Sequence, residues 1–425
     1  MADNKEIWMF NHYAVNMFYY RIGRHHSLGK HLVENGYRVT IFCASSWHKG
    51  GENVITDESL YKTDSADGVN YVFIKARDYV GNGKKRILNI LDYYRNLMKI
   101  ARNLESPDVI IGSSVHPLAC VAAIKLARKY HCKSIAEIRD LWPASLVAYG
   151  VLKEKSLPCS LLYKLEKWIY KKADRIIMTW EGGAQYIQDK NWSYVIPMEK
   201  IYHISNGVEL KEYSERAVAD LQDADINDSE RFLAIYAGSV SMVNNIQVLI
   251  DAAEILQKRG NERIRILIYG KGNQLDTLTD EVKAKGLTNI KFKGFVPRDS
   301  VPAVLSHAGC TLLHNTSTVL NKYGQSQNKF FEYLAAGKPI LMTYSVGYSV
   351  CKRNKCGIEL SEQSPEAIAD ALESFCNMSK EEYGEYCANA VKTAEDYDYK
   401  KLTDKLIQVI NSLFYEDKEV LNEKI

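Results

Sequence analysis

Short apolar runs alternate with longer amphipathic stretches along almost the whole chain. The apolar runs, rich in Ile, Val, Phe and Tyr, predict strands at Ile7–Phe10, Val39–Ala44, Tyr71–Ile74, Asp108–Ser113, Ser134–Ile138 and Arg175–Trp180. A second series falls at Phe232–Gly238, Ile264–Tyr269, Ile290–Phe292, Thr311–His314 and Pro339–Tyr344. Helical periodicity lies between them at Ser27–Asn35, Leu118–Tyr130, Leu161–Ala173, Asn245–Lys258 and Gln274–Lys285, and Leu402–Phe414 reads as a terminal amphipathic helix. Strands that alternate with helices belong to parallel sheets covered on both faces. Two such series predict two doubly wound, Rossmann-like α/β domains.

The expected boundaries are 1–205 for the first domain and 206–398 for the second. Residues 399–425 form a C-terminal helix expected to pack back toward the first domain. Between Asn206 and Phe232 the residues Glu215-Arg216, Asp220 and Gln222–Glu230 are polar and acidic, and read as a linker or exposed loop. A length of 425 residues suits two cores of about 200 residues each.

Composition changes this picture little. Hydrophobic residues make up 46% and charged residues 25%, the proportions of an ordinary globular chain. Met1–Glu6 is polar and the apolar run after it is short, so no signal peptide is expected. The longest apolar stretch, Val109–Ile124, is broken by Ser113, Ser114, His116 and Pro117 and falls short of a membrane span. Nine scattered cysteines, the closest being Cys351 and Cys356, match no zinc or redox spacing. A cytoplasmic protein with reduced thiols is the expectation.

Charge adds one asymmetry. The net +3 conceals a first half (residues 1–200) with 29 Lys+Arg against 20 Asp+Glu, and a remainder with 26 against 32. Lys84-Lys85-Arg86, after Gly81-Asn82-Gly83, and Lys164, Lys167, Lys171 and Lys172 carry much of the excess. Solvated helix faces are the ordinary reading; the sharper one is contact with an anionic membrane surface or a lipid pyrophosphate. The basic residues are spread out and form no nucleic-acid module, so nucleic acid is not an expected partner.

Ligands of open parallel sheets bind beyond the carboxyl ends of the strands, so those residues carry the candidate chemistry. In the second series they are Gly238-Ser239, Gly270 to Gly272, Gly294-Phe295-Val296-Pro297, His314-Asn315-Thr316, and the Ser326–Glu332 loop and helix. Glycine at a strand end lets the backbone approach a phosphate, although most such glycines merely make turns. A helix start at Asn328-Lys329 offers unpaired N–H groups to an anion, and Glu332 one turn on can accept from a pair of ribose hydroxyls. The Gly-x-Gly at 270–272 lacks the third glycine and following acid of a dinucleotide fingerprint. Asp223-Ala224-Asp225 has a metal-binding spacing but follows no strand, and no metal is expected. In the first series the strand ends are Asn11-His12-Tyr13, Ser113–Pro117 and Glu137–Pro143. Glu137, Arg139 and Asp140 cluster after an apolar strand and suggest a cleft, with a structural Arg–Asp pair as the plainer alternative. Arg24-His25-His26, opening a helix, are expected to line the same mouth.

Together these segments resemble the family 4 retaining glycosyltransferases of the GT-B fold, and most closely a bacterial surface-polysaccharide branch with fucosamine-transferase-like members. The resemblance is carried by Asn11–Ala14, Asp108–Pro117, Glu137–Pro143, Glu166-Lys167-Trp168 with Ala173–Ile177, Ser205–Val208, Tyr236–Ser239 and Asn328–Pro339. It implies two Rossmann-like domains facing across a cleft, the second binding a nucleoside-diphosphate sugar and the first an acceptor. Gly238, Ser239, Gly270, Gly272, Phe295, Val296, Ser326, Asn328, Lys329 and Glu332 would bind the donor. His116, Arg139 and Asp140 would face the transferred sugar or the acceptor hydroxyl, with His12, Arg24 and His25 on the acceptor side. The donor would be UDP-linked, the acceptor a glycan or lipid-linked glycan, and no cofactor or metal would be required.

Three departures stand out. Gly324 occupies the place of a second carboxylate eight residues before Glu332; Ser239–Asn245 has no basic residue to neutralise a diphosphate; and Val15–Tyr20 lacks paired glycines. A nucleotide-sugar epimerase of the same fold, or a non-catalytic nucleotide-sugar binder, remain alternatives at this stage.

Overall fold

The computed structural model describes residues 4–422 apart from Lys49 and Asn82. The chain divides into two compact units, meeting in sequence at Ser205 and Asn206; the helix Tyr399–Asn422 belongs to the first.

The first unit contains β1 (Glu6–Phe10), β2 (Arg38–Ala44), β3 (Tyr61–Ala66), β4 (Val69–Ile74), β5 (Val109–Ser113), β6 (Lys133–Ile138), β7 (Arg175–Met178) and β8 (Ile201–His203). They form one sheet in the order β3-β4-β2-β1-β5-β6-β7-β8, parallel except for β3 against β4. β5 is buried along its whole length, as befits a strand covered on both faces. One face carries Ile7, Met9, Ile41, Tyr71 and Ile111 against the helix Arg24–Glu34 and the terminal helix, which contributes Leu402, Leu406, Val409, Ile410 and Leu413. Those five recur on one helical face. Arg175 fastens the same helix, donating to Ser412 Oγ (3.0 Å) and to its carbonyl (2.9 Å). The other face packs Trp8, Phe10, Phe42 and Ile110 against helices Lys84–Ile100 and Pro117–Tyr130.

The second unit contains β9 (Phe232–Ala237), β10 (Ile264–Tyr269), β11 (Ile290–Gly294), β12 (Cys310–Leu313), β13 (Ile340–Met342) and β14 (Gly357–Glu359), ordered β11-β10-β9-β12-β13-β14 and all parallel. It too is covered on both faces, by two separate apolar clusters.

The eleven apolar runs of the sequence all become strands, with ends shifted by a residue or two. Three strands had no apolar signal. β3 is largely exposed and polar, paired antiparallel at the sheet edge, while β8 and β14 are three-residue edge strands. The helix Lys84–Ile100 extends well beyond its basic start. One expectation is overturned. The acidic stretch after Asn206 is not a free linker, because it holds the helix Leu210–Ala217 with Tyr213 buried and a buried Ile226. Its acids are anchored: Asp223 Oδ1 lies 2.9 Å from Lys293 Nζ, while Asp225 meets Lys293 (2.7 Å), Lys291 (2.5 Å) and Arg265 (3.2 Å). These carboxylates clamp the segment to β10 and β11, and their metal-like spacing serves ion pairing.

Candidate functional site

Each sheet reverses its direction of growth at one place, and there the connections diverge and leave a crevice at the strand ends. In the first unit this is between β1 and β5; in the second, between β9 and β12.

In the second unit, the segment after β12 leads to the helix Asn328–Ala335. Its N-cap, Gln327, makes no side-chain capping bond, which leaves the first-turn N–H groups of Asn328 and Lys329 available to an anion. Lys329 Nζ turns back to donate to the His314 carbonyl (2.8 Å) and lies 4.5 Å from the Tyr236 ring centroid. Among the described residues no carboxylate pairs with it. Burial without an anionic partner pushes its ammonium down to about 7. His314 is itself fixed, by Thr343 Oγ1 at Nδ1 (2.7 Å) and the Asn245 carbonyl at Nε2 (2.9 Å). The helix is tied to β9 through Tyr333, whose hydroxyl accepts from the Ala237 amide (2.9 Å).

Glu332 lies one turn along, its side chain 25% exposed, with Arg298 Nη2 3.5 Å from Oε1. Burial raises its carboxyl above the usual range, opposed by Arg298. The buried Tyr213 hydroxyl, coupled electrostatically to Glu332, has no hydrogen-bond partner among the described residues. The second unit thus presents a cation without an anion beside a carboxylate with open lone pairs. That combination suits a ligand carrying both phosphate and a diol.

The remaining residues expected at this site divide into two groups. Phe295 is 64% exposed, with Lys271 Nζ 4.4 Å from its ring centroid, while Val296 packs inward. Ser239 is exposed, and its carbonyl accepts from the Tyr236 hydroxyl (2.9 Å). The Ser326 hydroxyl accepts from the Asn206 amide (2.8 Å). The glycines have a structural role of their own. The amides of Gly238 and Gly270 are already bonded, to Tyr269 O (2.9 Å) and Gly294 O (2.7 Å). A side chain at Gly270 or Gly272 would strike the carbonyl of Gly238 or Val240, within 1.7 and 1.9 Å. These glycines let neighbouring strand-end loops cross at contact distance, and the Gly238 amide is not free for a phosphate. Gly324 has φ +95°, a conformation that disfavours a glutamate there.

In the first unit most of the expected residues lie inside the protein. Arg24 (2% exposed) donates from Nε to Glu137 (2.7 Å) and from its other nitrogens to the Ser205 and Ile204 carbonyls. His25 Nε2 lies 2.7 Å from the other Glu137 oxygen, and its Nδ1 meets Asn11 Nδ2 at 2.8 Å. Burial alone would raise the Glu137 carboxyl, but Arg24 and His25 hold it well below the usual range. Arg24 and His25 therefore do not line a mouth; they form a closed ionic core beneath it. His26 is likewise buried, between Tyr71 Oη and Asp67. Arg139 is half-buried, with its amide on Ser114 Oγ (3.0 Å), whereas Asp140 is exposed. His12 and His116 meet at the reversal point: His116 Nε2 lies 3.0 Å from His12 Nδ1, and His12 Nε2 lies 2.7 Å from Asn89 Oδ1. Asn89 was not legible as a site residue, because it sits in a helix whose only sequence signal was its basic start. Nor was Arg298, which follows the Gly-Phe-Val-Pro turn on a short 3-10 segment.

A surface feature completes the first unit. At the head of the helix Lys84–Ile100, exposed Ile87 and Leu88 lie beside Lys84 and Lys85, with Val80 86% exposed just before it. Among the described residues no helix is long and apolar enough to cross a membrane.

Comparison with known proteins places both halves. Residues 25–212 match Glycosyltransferase Family 4 and residues 219–396 match Glycosyl transferases group 1. A curated relative, the "Probable glycosyltransferase WbjE" of Pseudomonas aeruginosa, is 21% identical over 292 residues, covering 68% of this chain and 70% of the relative. Among solved structures, HepE of Anabaena in complex with UDP matches with a TM-score of 0.63 at 12% identity, over 96% of this chain and 100% of that one. WaaG, a glycosyltransferase involved in lipopolysaccharide biosynthesis, matches with a TM-score of 0.63 at 15% identity, over 95% and 99%. The trehalose-6-phosphate protein from E. coli bound with UDP-2-fluoro glucose gives 0.70 at 12%, over 95% and 98%. The fold is GT-B, with two parallel-sheet α/β domains.

Proposed function

We propose that this chain, which joins a glycosyltransferase family 4-like first half to a group 1 glycosyltransferase second half, transfers a sugar from a UDP-linked donor to a glycan or lipid-linked acceptor in surface-polysaccharide synthesis. The observation that carries the reading is Lys329 without an anionic partner, one turn before a partly open Glu332. The helix start and Lys329 take the diphosphate, and Glu332 takes the ribose hydroxyls. The exposed Phe295 beside Lys271 is available to the base. Relatives of this fold have been solved with UDP and UDP-sugars, which supports a uridine donor.

In this reading the acceptor oxygen bonds to the anomeric carbon on the face from which the diphosphate departs, giving retention. The bond to the diphosphate oxygen breaks through an oxocarbenium-like state, and the acceptor proton passes to the departing phosphate. Lys329 and the helix start stabilise the charge that develops there, so no metal is needed. The exposed Ile87, Leu88 and Val80 with Lys84 and Lys85 suit peripheral contact with an anionic membrane on the cytoplasmic side, near a lipid-linked acceptor.

Calorimetric titration with UDP, GDP and a panel of their sugars, with and without magnesium, tests the donor. The expected result is metal-independent binding of one UDP-sugar, and transfer of that sugar to a lipid-linked acceptor. Absence of any nucleotide binding would end the reading. Vesicle binding that ignored salt and survived K84E/K85E would remove the membrane contact alone.

A further inference from the structure

The polar chain at the β1–β5 reversal point has a fixed direction. Asn89 Nδ2 donates to the Arg77 carbonyl (2.6 Å) and to Ser46 Oγ (2.7 Å). A carbonyl can only accept, so the Asn89 amide has one possible orientation, and Oδ1 is the atom facing His12 Nε2 (2.7 Å). That oxygen can only accept as well, so His12 carries its proton on Nε2. Burial, with His116 and Arg86 nearby, holds His12 well below the usual imidazole range, so the ring is neutral and its Nδ1 is a bare lone pair. His116 Nε2, 3.0 Å away, must then be the donor. Burial and Arg86 push His116 down to about 3, so it holds one proton and its Nδ1 is also a bare lone pair. That Nδ1 belongs to a residue 2% exposed and has no hydrogen-bond partner among the described residues. A buried acceptor left open at a sheet's reversal point is costly unless a ligand completes it.

We propose that Asn89 and His12 are positioning residues that lock His116 in its Nε2–H tautomer, so that His116 Nδ1 accepts a hydrogen bond from a neutral donor group of the substrate, a sugar hydroxyl, and repels an anionic oxygen. The tautomer rests on the hydrogen-bond geometry and on the neutrality of two buried rings; the identity of the group as a sugar hydroxyl rests on the glycosyltransferase reading. The diphosphate of a nucleotide sugar, fully ionised and without a proton to donate to Nδ1, belongs elsewhere, at the helix start beside Lys329.

The test is long-range 1H–15N correlation of the full chain labelled with 15N-histidine, with His116 assigned from the resonance lost in His116→Gln. Wild-type protein is expected to show a pyrrole-like Nε2 and a pyridine-like Nδ1 at His116. Asn89→Met, which removes the acceptor, is expected to mix the tautomers and raise the KM for the sugar substrate at least tenfold. Asn89→Gln, which keeps both the carbonyl acceptor toward His12 and the amide donor toward Arg77, is expected to restore both. A protonated Nδ1 in wild type, or a His116 spectrum unchanged in Asn89→Met, overturns the proposal whatever the enzyme turns over. If Asn89→Met does not fold, the wild-type spectrum decides by itself. The expected spectra in a protein that turns over no nucleotide sugar uphold the relay and sink the transferase reading instead.

Discussion

Six strands of the first sheet, β4-β2-β1-β5-β6-β7, match the order of the second, and both sheets concentrate polar residues at the same place, yet they treat those residues in opposite ways. In the first unit the buried charges at the strand ends are satisfied internally, Glu137 by Arg24 and His25, and Arg24 also by two backbone carbonyls, while Asp140 stays exposed. The outer end of the histidine chain stays open. In the second unit Lys329 has a carbonyl and a ring but no anion among the described residues, and Glu332 has one loose contact with Arg298. A charge after a strand therefore does not by itself mark a binding site; the informative question is whether the fold has already supplied its partner. Closed charges hold the unit together, and open ones keep their capacity to meet a ligand.

Breaking the closed set should give the largest effect. Glu137→Leu leaves Arg24 buried without its counter-charge and is expected to destabilise the first unit by about 3–5 kcal/mol. All six tryptophans, Trp8, Trp47, Trp142, Trp168, Trp180 and Trp192, precede Ser205, so tryptophan fluorescence in a denaturant series follows that unit alone. A midpoint unmoved from wild type would contradict the assignment of a structural role.

The open set should respond the other way, losing affinity without losing stability. Glu332→Ala is expected to weaken UDP-sugar binding by about 2 kcal/mol, the scale of hydrogen bonds to a charged group, with the melting temperature unchanged. A large drop in melting temperature would instead make Glu332 part of the scaffold.

Lys329 sharpens the comparison through pH. Its ammonium titrates near 7 in the free protein, and a bound diphosphate favours the charged form. Binding should therefore take up a proton above pH 7, and affinity should fall as pH rises from 7 toward 9. Calorimetry in buffers of differing ionisation enthalpy reads the proton directly. Lys329→Met should cost about tenfold, or 1.4 kcal/mol, and abolish the proton uptake; uptake that persists would belong to another group.

The last test lies in a closed group and is read as a slope with pH. Glu166 is buried between the hydroxyls of Tyr170 (2.8 Å) and Tyr186 (3.1 Å), and burial raises its carboxyl to about 8. The folded-state value lies above the unfolded one, so the folded chain binds the extra proton between about 4.5 and 8. Its contribution is full below that window and is lost as pH rises through it, by no more than about 1.4 kcal/mol per pH unit. Glu166→Gln should flatten the stability of the first unit across pH 5–8; an unchanged slope would show that the carboxyl is already ionised.

Much of this was legible beforehand. Continuous apolar runs alternating with amphipathic helices fixed two parallel α/β units, because a strand buried on both faces leaves its signature in every residue. Lys329 and Glu332 could be marked from their spacing at a helix start, since the helical period places them one turn apart whatever surrounds the helix. The terminal helix announced itself through Leu402, Leu406, Val409 and Leu413. Edge strands such as β3 left no trace, because an exposed strand needs no apolar residues.

What remained for the tertiary structure was the pairing of polar groups distant in sequence. Glu137 lies 113 residues from Arg24, and His12 lies 77 from Asn89 and 104 from His116. Only the folded arrangement decides that the first pair is closed and that the histidine chain ends in an open acceptor. Gly270 and Gly272 make the same point: the sequence marked them as special, but the crossing of adjacent loops supplied the reason. Periodicity is a local property and travels with the chain, whereas the satisfaction of a charge or a hydrogen bond depends on which segments the fold brings within about 3 Å of one another.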